Sequence, residues 1–295
     1  MKKSFSPVSL EELSAYATLW ADTPVHSLDY TFTNLWGWQE YYGLEWCLEN
    51  NLCWIRQTRP QKVMWAPVGD WSAAEWPAIF ADWTNNGSLH FTRVPEALVQ
   101  IWQAALPQRI KAEDDRGQWE YFYSVEELAN LSGKRFHKKK NHYNAYVNAY
   151  GEPDYHPLDA GSAEAVLGMQ DDWCRCHECD DSPSLAAENE AIKKIVANWQ
   201  IFSQLVGGCL YIGEEMAAFS IGERLDEKSL GVHFEKGLTS FKGIYQTINC
   251  QFARHAGQGF TYLNRAQDLD EEGLRQAKLT YHPVEFLRKY RVQVL

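Results

Sequence analysis

The chain has 295 residues, of which 45% are hydrophobic and 23% charged, so it can build the cores of two domains of ordinary size. Its formal net charge of −11 excludes a general nucleic-acid binder, because such proteins neutralise phosphates with an excess of Lys and Arg. The sequence contains no apolar stretch of about 18 residues and no apolar signal-peptide core near its start. We therefore expect a cytoplasmic protein without a membrane span.

The first half of the chain alternates predicted helices and strands. Ser9 and Glu12 have the spacing of a capping box, which predicts a helix that runs to Trp20. The aromatic run at 32–38 predicts a strand or a short helix. Further strands are predicted at 53–56, 63–66 and 121–123, and further helices at 73–83 and 95–105. A glycine and two prolines within 151–157 predict a boundary between domains at 1–150 and 151–295.

The second half predicts a helix, three meandering strands and a second helix. The helices are expected at 186–204 and 243–255, and the strands at 209–212, 216–221 and 230–235. A short aromatic run at 259–263 predicts a further strand, after which Asp268 or Asp270 can cap a helix that continues through Lys278. The whole pattern predicts a mixed α/β (α+β) fold.

Long polar side chains are concentrated after that last strand. Asn264, Arg265 and Asp268 follow its end, where open α/β sheets place ligands. Arg275 and Lys278 are three residues apart and share a helix face. Neither a core strand nor a surface helix needs this mixture, so it indicates a site. The alternative is a structural cluster of ion pairs that holds the last helix to the sheet.

The arrangement of these residues resembles a known family, the C-terminal domain of phosphatidylglycerol lysyltransferases. The resemblance lies in Asn264-Arg265-x-Gln267-Asp268, Gly273-Leu274-Arg275-x-Ala277-Lys278-x-x-Tyr281, Val232-His233-x-Glu235-Lys236, Gly243-x-Tyr245-Gln246 and Lys138-Lys139-Lys140-Asn141-His142. It implies two tandem GNAT-like acyltransferase domains, as in Fem-type aminoacyl-tRNA-dependent transferases, with the site in the C-terminal half.

The resemblance also implies an activity. We expect an acyl- or aminoacyltransferase without a tightly bound cofactor, which takes its group from acyl-CoA or aminoacyl-tRNA. The acceptor would be an amine or hydroxyl of a small molecule or lipid head group, and the acceptor end of a tRNA is a possible partner. Two alternatives remain: a CoA-dependent N-acetyltransferase acting on a small amine, and a non-catalytic ligand-binding or sensor protein.

Acyl transfer needs a base for the acceptor, donors for the oxyanion and a proton source for the leaving group. His233 and Glu235 alternate along one predicted strand and share a face, where Glu235 can act as the base. The predicted catalytic set is His233, Glu235, Tyr245, Asn264 and Asp268. The alternatives are a satisfied, partly buried histidine at position 233 and a core aromatic at position 245.

A second group of residues is predicted to bind the substrates. Lys236, Lys242 and Gly243 precede or open a helix and are predicted to hold the pyrophosphate of an acyl carrier, which needs free N–H groups, a glycine and a cation. The remaining predicted substrate-binding residues are Gln246, Asn249, Arg265, Arg275, Lys278 and Tyr281, with Lys138 and Lys140 from the basic segment 134–142. That segment is alternatively a solvated helix face.

Cys174, Cys176, His177 and Cys179 lie within six residues. Structural zinc sites usually take two ligand pairs separated by a longer loop, so that four ligands can converge tetrahedrally. We therefore predict no metal site here, and reduced cysteines on a polar loop. The odd total of seven cysteines also argues against a disulfide framework.

Overall fold

The computed structural model describes residues 4–83 and 88–295 and divides into two compact units. The first unit contains the described part of Met1–Glu120 together with Gln267–Glu272 and Phe286–Leu295, and the second contains Tyr121–Ala266 and Gly273–Glu285. The predicted boundary after residue 150 therefore lies inside the second unit. The end of the chain returns to the first unit because its last strand pairs there.

The strands are β1 (Ser6–Pro7), β2 (Glu45–Glu49), β3 (Leu52–Gln57), β4 (Val63–Trp65), β5 (Val68–Gly69), β6 (Leu89–Pro95), β7 (Ile110–Asp114), β8 (Glu120–Ser124), β9 (Asp154–Pro157), β10 (Leu205–Ile212), β11 (Glu215–Arg224), β12 (Ser229–Gly237), β13 (Tyr262–Asn264), β14 (Glu285–Leu287) and β15 (Lys289–Val294). The α-helices are α1 (Leu13–Ala21), α2 (Phe32–Gly37), α3 (Gln39–Tyr42), α4 (Trp76–Trp83), α5 (Glu96–Ala105), α6 (Val125–Asn130), α7 (His137–Tyr150), α8 (Ala163–His177), α9 (Pro183–Ala197), α10 (Ile244–His255) and α11 (Glu272–Leu279).

The first unit is built on a mixed sheet with the order β1-β2-β3-β4-β6-β15-β7, and β5 pairs with β3. Only β4 and β6 are parallel among the pairings of this sheet in the described residues. Its core is aromatic: Trp76, Phe80, Phe91 and Trp102 pack ring against ring with centroids 4.9–5.9 Å apart. These large rings supply much of the apolar burial that stabilises the unit.

A network of buried charges crosses the first unit. Lys289 is fully buried and its Nζ donates hydrogen bonds to Asp29 and, at 2.5 Å, to Glu120. Arg93 also pairs with Asp29, and Ser27 donates to Glu120 at 2.6 Å. Burial alone would raise the pKa of Asp29, but the charges of Arg93 and Lys289 hold that pKa below its ordinary value. The four charges therefore balance within the core.

The second unit is built on a mixed sheet with the order β14-β8-β13-β12-β11-β10-β9. The pairs β9–β10, β10–β11 and β11–β12 are antiparallel, and the pair β12–β13 is parallel. Successive residues of β12 point to opposite faces: Glu235 bonds to Asn249 of α10, whereas Lys236 reaches Glu188 of α9. The sheet is therefore covered by α10 on one face and by α8 and α9 on the other.

The mixed α/β class is confirmed, and the chain forms two compact units. In the second unit, two helices precede three antiparallel strands, a helix and a strand parallel to the last of the three, the order expected for a GNAT-like domain. Residues 32–37 form a helix, capped by the side chain of Thr31, and α9 ends at Ala197 instead of continuing to 204. Within residues 4–83 and 88–295, no helix is both long and apolar enough to span a bilayer.

The prediction of reduced cysteines is wrong for two of them. Cys174 and Cys179 form a disulfide, with their Cα atoms 5.1 Å apart. The expected polar loop is in fact the last turn of α8, after which Glu178 adopts a left-handed conformation with φ of 50°. This turn brings together two cysteines that are five positions apart. Cys176 is exposed and free.

Candidate active site

The candidate site of the second unit is centred on an ion pair between Glu235 and Arg265. Gly231 of β12 pairs with Asn264, the last residue of the parallel β13, so Arg265 emerges where β13 ends. Oε1 of Glu235 accepts a hydrogen bond from Nη2 of Arg265 at 2.8 Å, and Oε2 accepts one from Nδ2 of Asn249 at 3.1 Å. Both carboxylate oxygens therefore fix the orientation of their donors.

The Arg265 guanidinium is held between aromatic rings. Its Cζ lies 4.7 Å from the ring centroid of Tyr281 and 5.7 Å from that of Tyr123. Burial opposes its charge, but the Glu235 carboxylate raises the pKa of Arg265 above its ordinary value. Its Nη1 is buried and has no hydrogen-bond partner in the protein. One nitrogen of a permanently charged donor is thus left unsatisfied within the protein.

Tyr281 and Lys139 extend this cluster. Tyr281 is buried, and burial raises its pKa to about 12 although the charge of Arg265 opposes the rise. The Nζ of Lys139 lies 3.9 Å from the Tyr281 ring centroid. Burial, together with the charge of Arg265, lowers the pKa of Lys139 to about 8. Lys139, Tyr281 and Arg265 therefore form one cluster, in which Arg265 is bonded to Glu235.

Lys278 is a predicted substrate-binding residue that the structure places in a structural position. Its Nζ donates a hydrogen bond to the backbone oxygen of Arg265 and lies 5.5 Å from the Tyr121 ring centroid. The hydroxyl of Tyr123 donates to the backbone oxygen of Lys278 at 3.0 Å. These contacts tie α11 to the end of β13. Arg275, one turn earlier on α11, is half-buried.

Three residues of the predicted catalytic set lie in other contacts. His233 is the extra residue of a β-bulge, and its Nε2 lies 2.8 Å from Oε2 of Glu223. The hydroxyl of Tyr245 accepts a hydrogen bond from Nε1 of Trp173 at 2.9 Å. The side chain of Asn264 accepts one from the backbone nitrogen of Ala266 at 3.0 Å and so shapes the turn after β13. The positions of His233 and Tyr245 match their structural alternatives.

Asp268, the fifth predicted catalytic residue, belongs to the first unit. It is fully buried, and Nη1 of Arg116 donates to its Oδ2 at 2.9 Å. Its Oδ1 accepts a hydrogen bond from the backbone nitrogen of Asp270 at 2.9 Å. These two contacts hold Asp268 within the first unit, because the chain passes between units after Ala266.

The predicted donor-binding loop has other contacts in the structure. Lys236 is buried, with its Nζ 2.6 Å from Glu188 and 3.7 Å from the Trp173 ring centroid. The backbone nitrogen of Lys242 donates to the hydroxyl of Tyr150 at 3.1 Å. Gly243 has φ of 77°, and a Cβ there would lie 2.2 Å from the backbone oxygen of His142. The glycine is thus required by close packing against α7.

Lys139 is the residue of this cluster that the sequence analysis did not select. Lys138 and Lys140, which were chosen instead, are exposed. On a helix, Lys139 shares a face with residues four and seven positions later, namely Tyr143 and Tyr146. Tyr146 is buried and Tyr143 accepts hydrogen bonds from α10. The aromatic spacing in the sequence therefore already indicated which of the three lysines faces inward.

The lowered pKa of Lys139 predicts unusual reactivity. Below pH 8 the side chain is mainly the unreactive ammonium, and above pH 8 it is mainly the free amine. Labelling of Lys139 with an amine-reactive ester should therefore increase with pH, with a midpoint near the pKa of about 8. Peptide mapping by mass spectrometry across this pH range measures the midpoint. In Arg265→Gln it should move upward, because one cause of the lowering is removed. A midpoint near that of an ordinary lysine, roughly 10, would contradict the burial of this amine.

The fold and the family that the chain matches support the acyltransferases as its class of protein. Residues 20–293 match the family "Phosphatidylglycerol lysyltransferase, C-terminal", and the chain belongs to that family. A conserved protein of unknown function from Bacteroides thetaiotaomicron is 27% identical, with a TM-score of 0.89 over 99% of this chain and 100% of that one. The C-terminal domain of a putative lysylphosphatidylglycerol synthetase from Agrobacterium fabrum is 13% identical, with a TM-score of 0.66 over 97% and 92% of the two chains, and shares the fold.

A curated relative gives a partial match. An uncharacterized protein of Mycoplasmoides gallisepticum is 23% identical over 185 residues, which are 59% of this chain and 56% of that protein. The aligned region thus spans about half the length of the relative.

Proposed function

We propose that the second unit transfers an acyl or aminoacyl group from a carrier to an amine or hydroxyl acceptor, at the cluster formed by Glu235, Arg265, Tyr281 and Lys139. The observation that supports this most directly is the buried, unpartnered Nη1 of Arg265. A donor that is charged, desolvated and already fixed is the kind of group that stabilises a developing oxyanion.

Each residue has a role in the proposed reaction. The acceptor's nitrogen or oxygen attacks the carbonyl carbon of the donor, and the charge that develops on the carbonyl oxygen is stabilised by Arg265. The bond from the carbonyl carbon to the carrier's oxygen or sulfur then breaks. Lys139, with a pKa of about 8, gives its proton to that leaving atom near neutral pH, and its free amine then takes up the proton that the acceptor loses. Tyr281 orients the substrate, and Glu235 holds Arg265 in place.

Membership of the family supports a lipid head group or a similar polar hydroxyl compound as the acceptor. Aminoacyl-tRNA is the donor we favour, because Lys236 and Gly243 of the loop expected to hold a CoA pyrophosphate are accounted for by internal contacts. The cytoplasmic location and the acceptor end of tRNA as a partner stay predictions.

A transfer assay with labelled donors tests the proposal. Purified protein is incubated with lysyl-tRNA labelled in its lysine and phosphatidylglycerol vesicles, with the same donor and a soluble amine, and with labelled acetyl-CoA and the soluble amine. We expect label from the aminoacyl donor in an acceptor product. Transfer from acetyl-CoA alone would favour the N-acetyltransferase, and ligand binding without transfer would favour the sensor.

Two neighbouring lysines of α7 supply a matched pair of variants. Lys139→Met removes the half-buried ammonium, and we expect the transfer rate to fall by about 10²-fold or more, the usual contribution of general acid catalysis. Lys138→Met changes an exposed side chain one position away and should leave the rate within about twofold. The opposite pattern would support the choice made from the sequence and sink the assignment to Lys139.

A further inference from the structure

The first unit contains a cavity of about 680 Å³. It lies where β4 and β6, which are paired at only two positions, adjoin β15 and β7. All of its lining residues belong to the first unit. Its volume lies within the range of roughly 300–1,000 Å³ that is typical of sites for small molecules.

The cavity has an excess of positive charge. Lys62, Lys111 and Arg291 line it, against Glu113. Arg291 lies opposite Glu113 in the pairing of β7 and β15, and its Nε is 3.8 Å from Oδ1 of Asp115. Among the described residues, neither Lys62 nor Lys111 has a carboxylate within salt-bridge distance. Two ammonium groups at the rim are thus uncompensated, in a protein whose net charge is −11.

The wall of the cavity also has an unsatisfied acceptor. Gln118 lines it, and the amide oxygen of Gln118 is buried without a hydrogen-bond partner in the protein. Buried polar atoms are nearly always paired, so an orphan at a cavity wall indicates a partner supplied from the cavity. That partner must present an N–H or O–H group.

The base of the cavity is rigid. Arg93 and Thr92 of β6 lie opposite the single Arg291 of β15 in a bulge, and Arg93 has a left-handed φ of 58°. A non-glycine residue in that conformation persists only when its surroundings hold it. Here Asp29 pairs with the guanidinium, whose Cζ lies 4.4 Å from the Trp65 ring centroid. The cavity is therefore preformed, which favours binding of a ligand.

We propose that this cavity binds an anionic metabolite that has phosphate or carboxylate groups and at least one hydroxyl or amine donor. The anion contacts Lys62, Lys111 and Arg291, and the donor contacts the amide oxygen of Gln118. This site does not depend on the proposed transfer reaction, because the cluster of Glu235 and Arg265 belongs to the other unit.

Isothermal titration calorimetry of the full chain tests the site with two probes, ribose 5-phosphate for the phosphate class and citrate for the carboxylate class. We expect at least one of them to bind with 1:1 stoichiometry. In Lys62→Ala/Lys111→Ala its affinity should fall at least about tenfold. Both lysines are exposed, so the fold should be retained, which circular dichroism verifies. Gln118→Leu should also weaken binding of the probe, because it removes the amide oxygen that accepts the probe's hydrogen bond.

Lys228→Ala in the second unit is the matched control, since Lys228 is an equally exposed lysine. It should leave the affinity unchanged. The proposal is overturned if neither probe binds at concentrations up to about 10 mM, if the double variant binds as well as the parent, or if Lys228→Ala weakens binding equally.

Discussion

Lys289→Met should lower the free energy of unfolding of the first unit by about 3–5 kcal/mol, the usual cost of removing one partner from a buried ion pair. The substitution retains the volume of the side chain but leaves Asp29 and Glu120 in the core with only Arg93 to balance them. Urea unfolding followed by tryptophan fluorescence measures the change, because most of the tryptophans lie in the first unit.

Lys111→Met provides the comparison for this experiment. Lys111 lies on β7, the strand next to β15, but its side chain is exposed. The loss of unfolding free energy there should stay within about 0.5 kcal/mol. If Lys289→Met costs no more than Lys111→Met, the four-charge network does not stabilise the core.

Arg265→Lys should lower the transfer rate by about 10²- to 10³-fold, the effect of losing one oxyanion donor. Lysine keeps the positive charge but lacks the planar guanidinium, in which Nη2 bonds to Glu235 while Nη1 is left for the substrate oxygen. The loss should appear mainly in kcat, because the interaction is made in the transition state. Steady-state kinetics with the donor identified in the transfer assay measures it.

The control is Arg224→Lys, which changes an exposed arginine at the end of β11. Its kcat should equal that of the parent. Arg265→Ala separates structure from catalysis, since it leaves the buried Glu235 without its cation and should destabilise the second unit as well. An Arg265→Lys variant with full kcat would show that Nη1 does not contact the reacting carbonyl.

Much of the second unit could be predicted from its sequence because its signals are local. The helix 243–255 and the strand 230–235 were found nearly at their observed bounds, since apolar spacing alone sets them. Placing Arg265 and Tyr281 at one site was likewise possible, because both follow short elements near the end of the chain. The contacts of Arg265 with Tyr281 and with Glu235 fit that interpretation.

The remaining features depend on contacts that are distant in sequence. The boundary at 120 could not be recognised because its evidence is the return of β15, more than 160 residues later, to a position between β6 and β7. The bulge at His233 shows in the pairing with β11, which hydrophobic patterning does not encode. The choice between Lys138 and Lys139 could have been made from the sequence. The spacing of Tyr143 and Tyr146 shows which helix face is buried, and Lys139 lies on that face.

The position of β15 also affects how the protein is made. During synthesis the ribosome completes the second unit's strands and helices before it releases the residues that fill the gap between β6 and β7. The unit that is translated first is therefore the last to close. Until then β6 and β7 have unpaired edges, and Asp29 and Glu120 lack the positive charge of Lys289. In a nascent chain, the first unit is thus exposed to mispairing and degradation for the longest time, although it emerges first. A premature stop codon near the end of the reading frame would leave the first unit unable to fold.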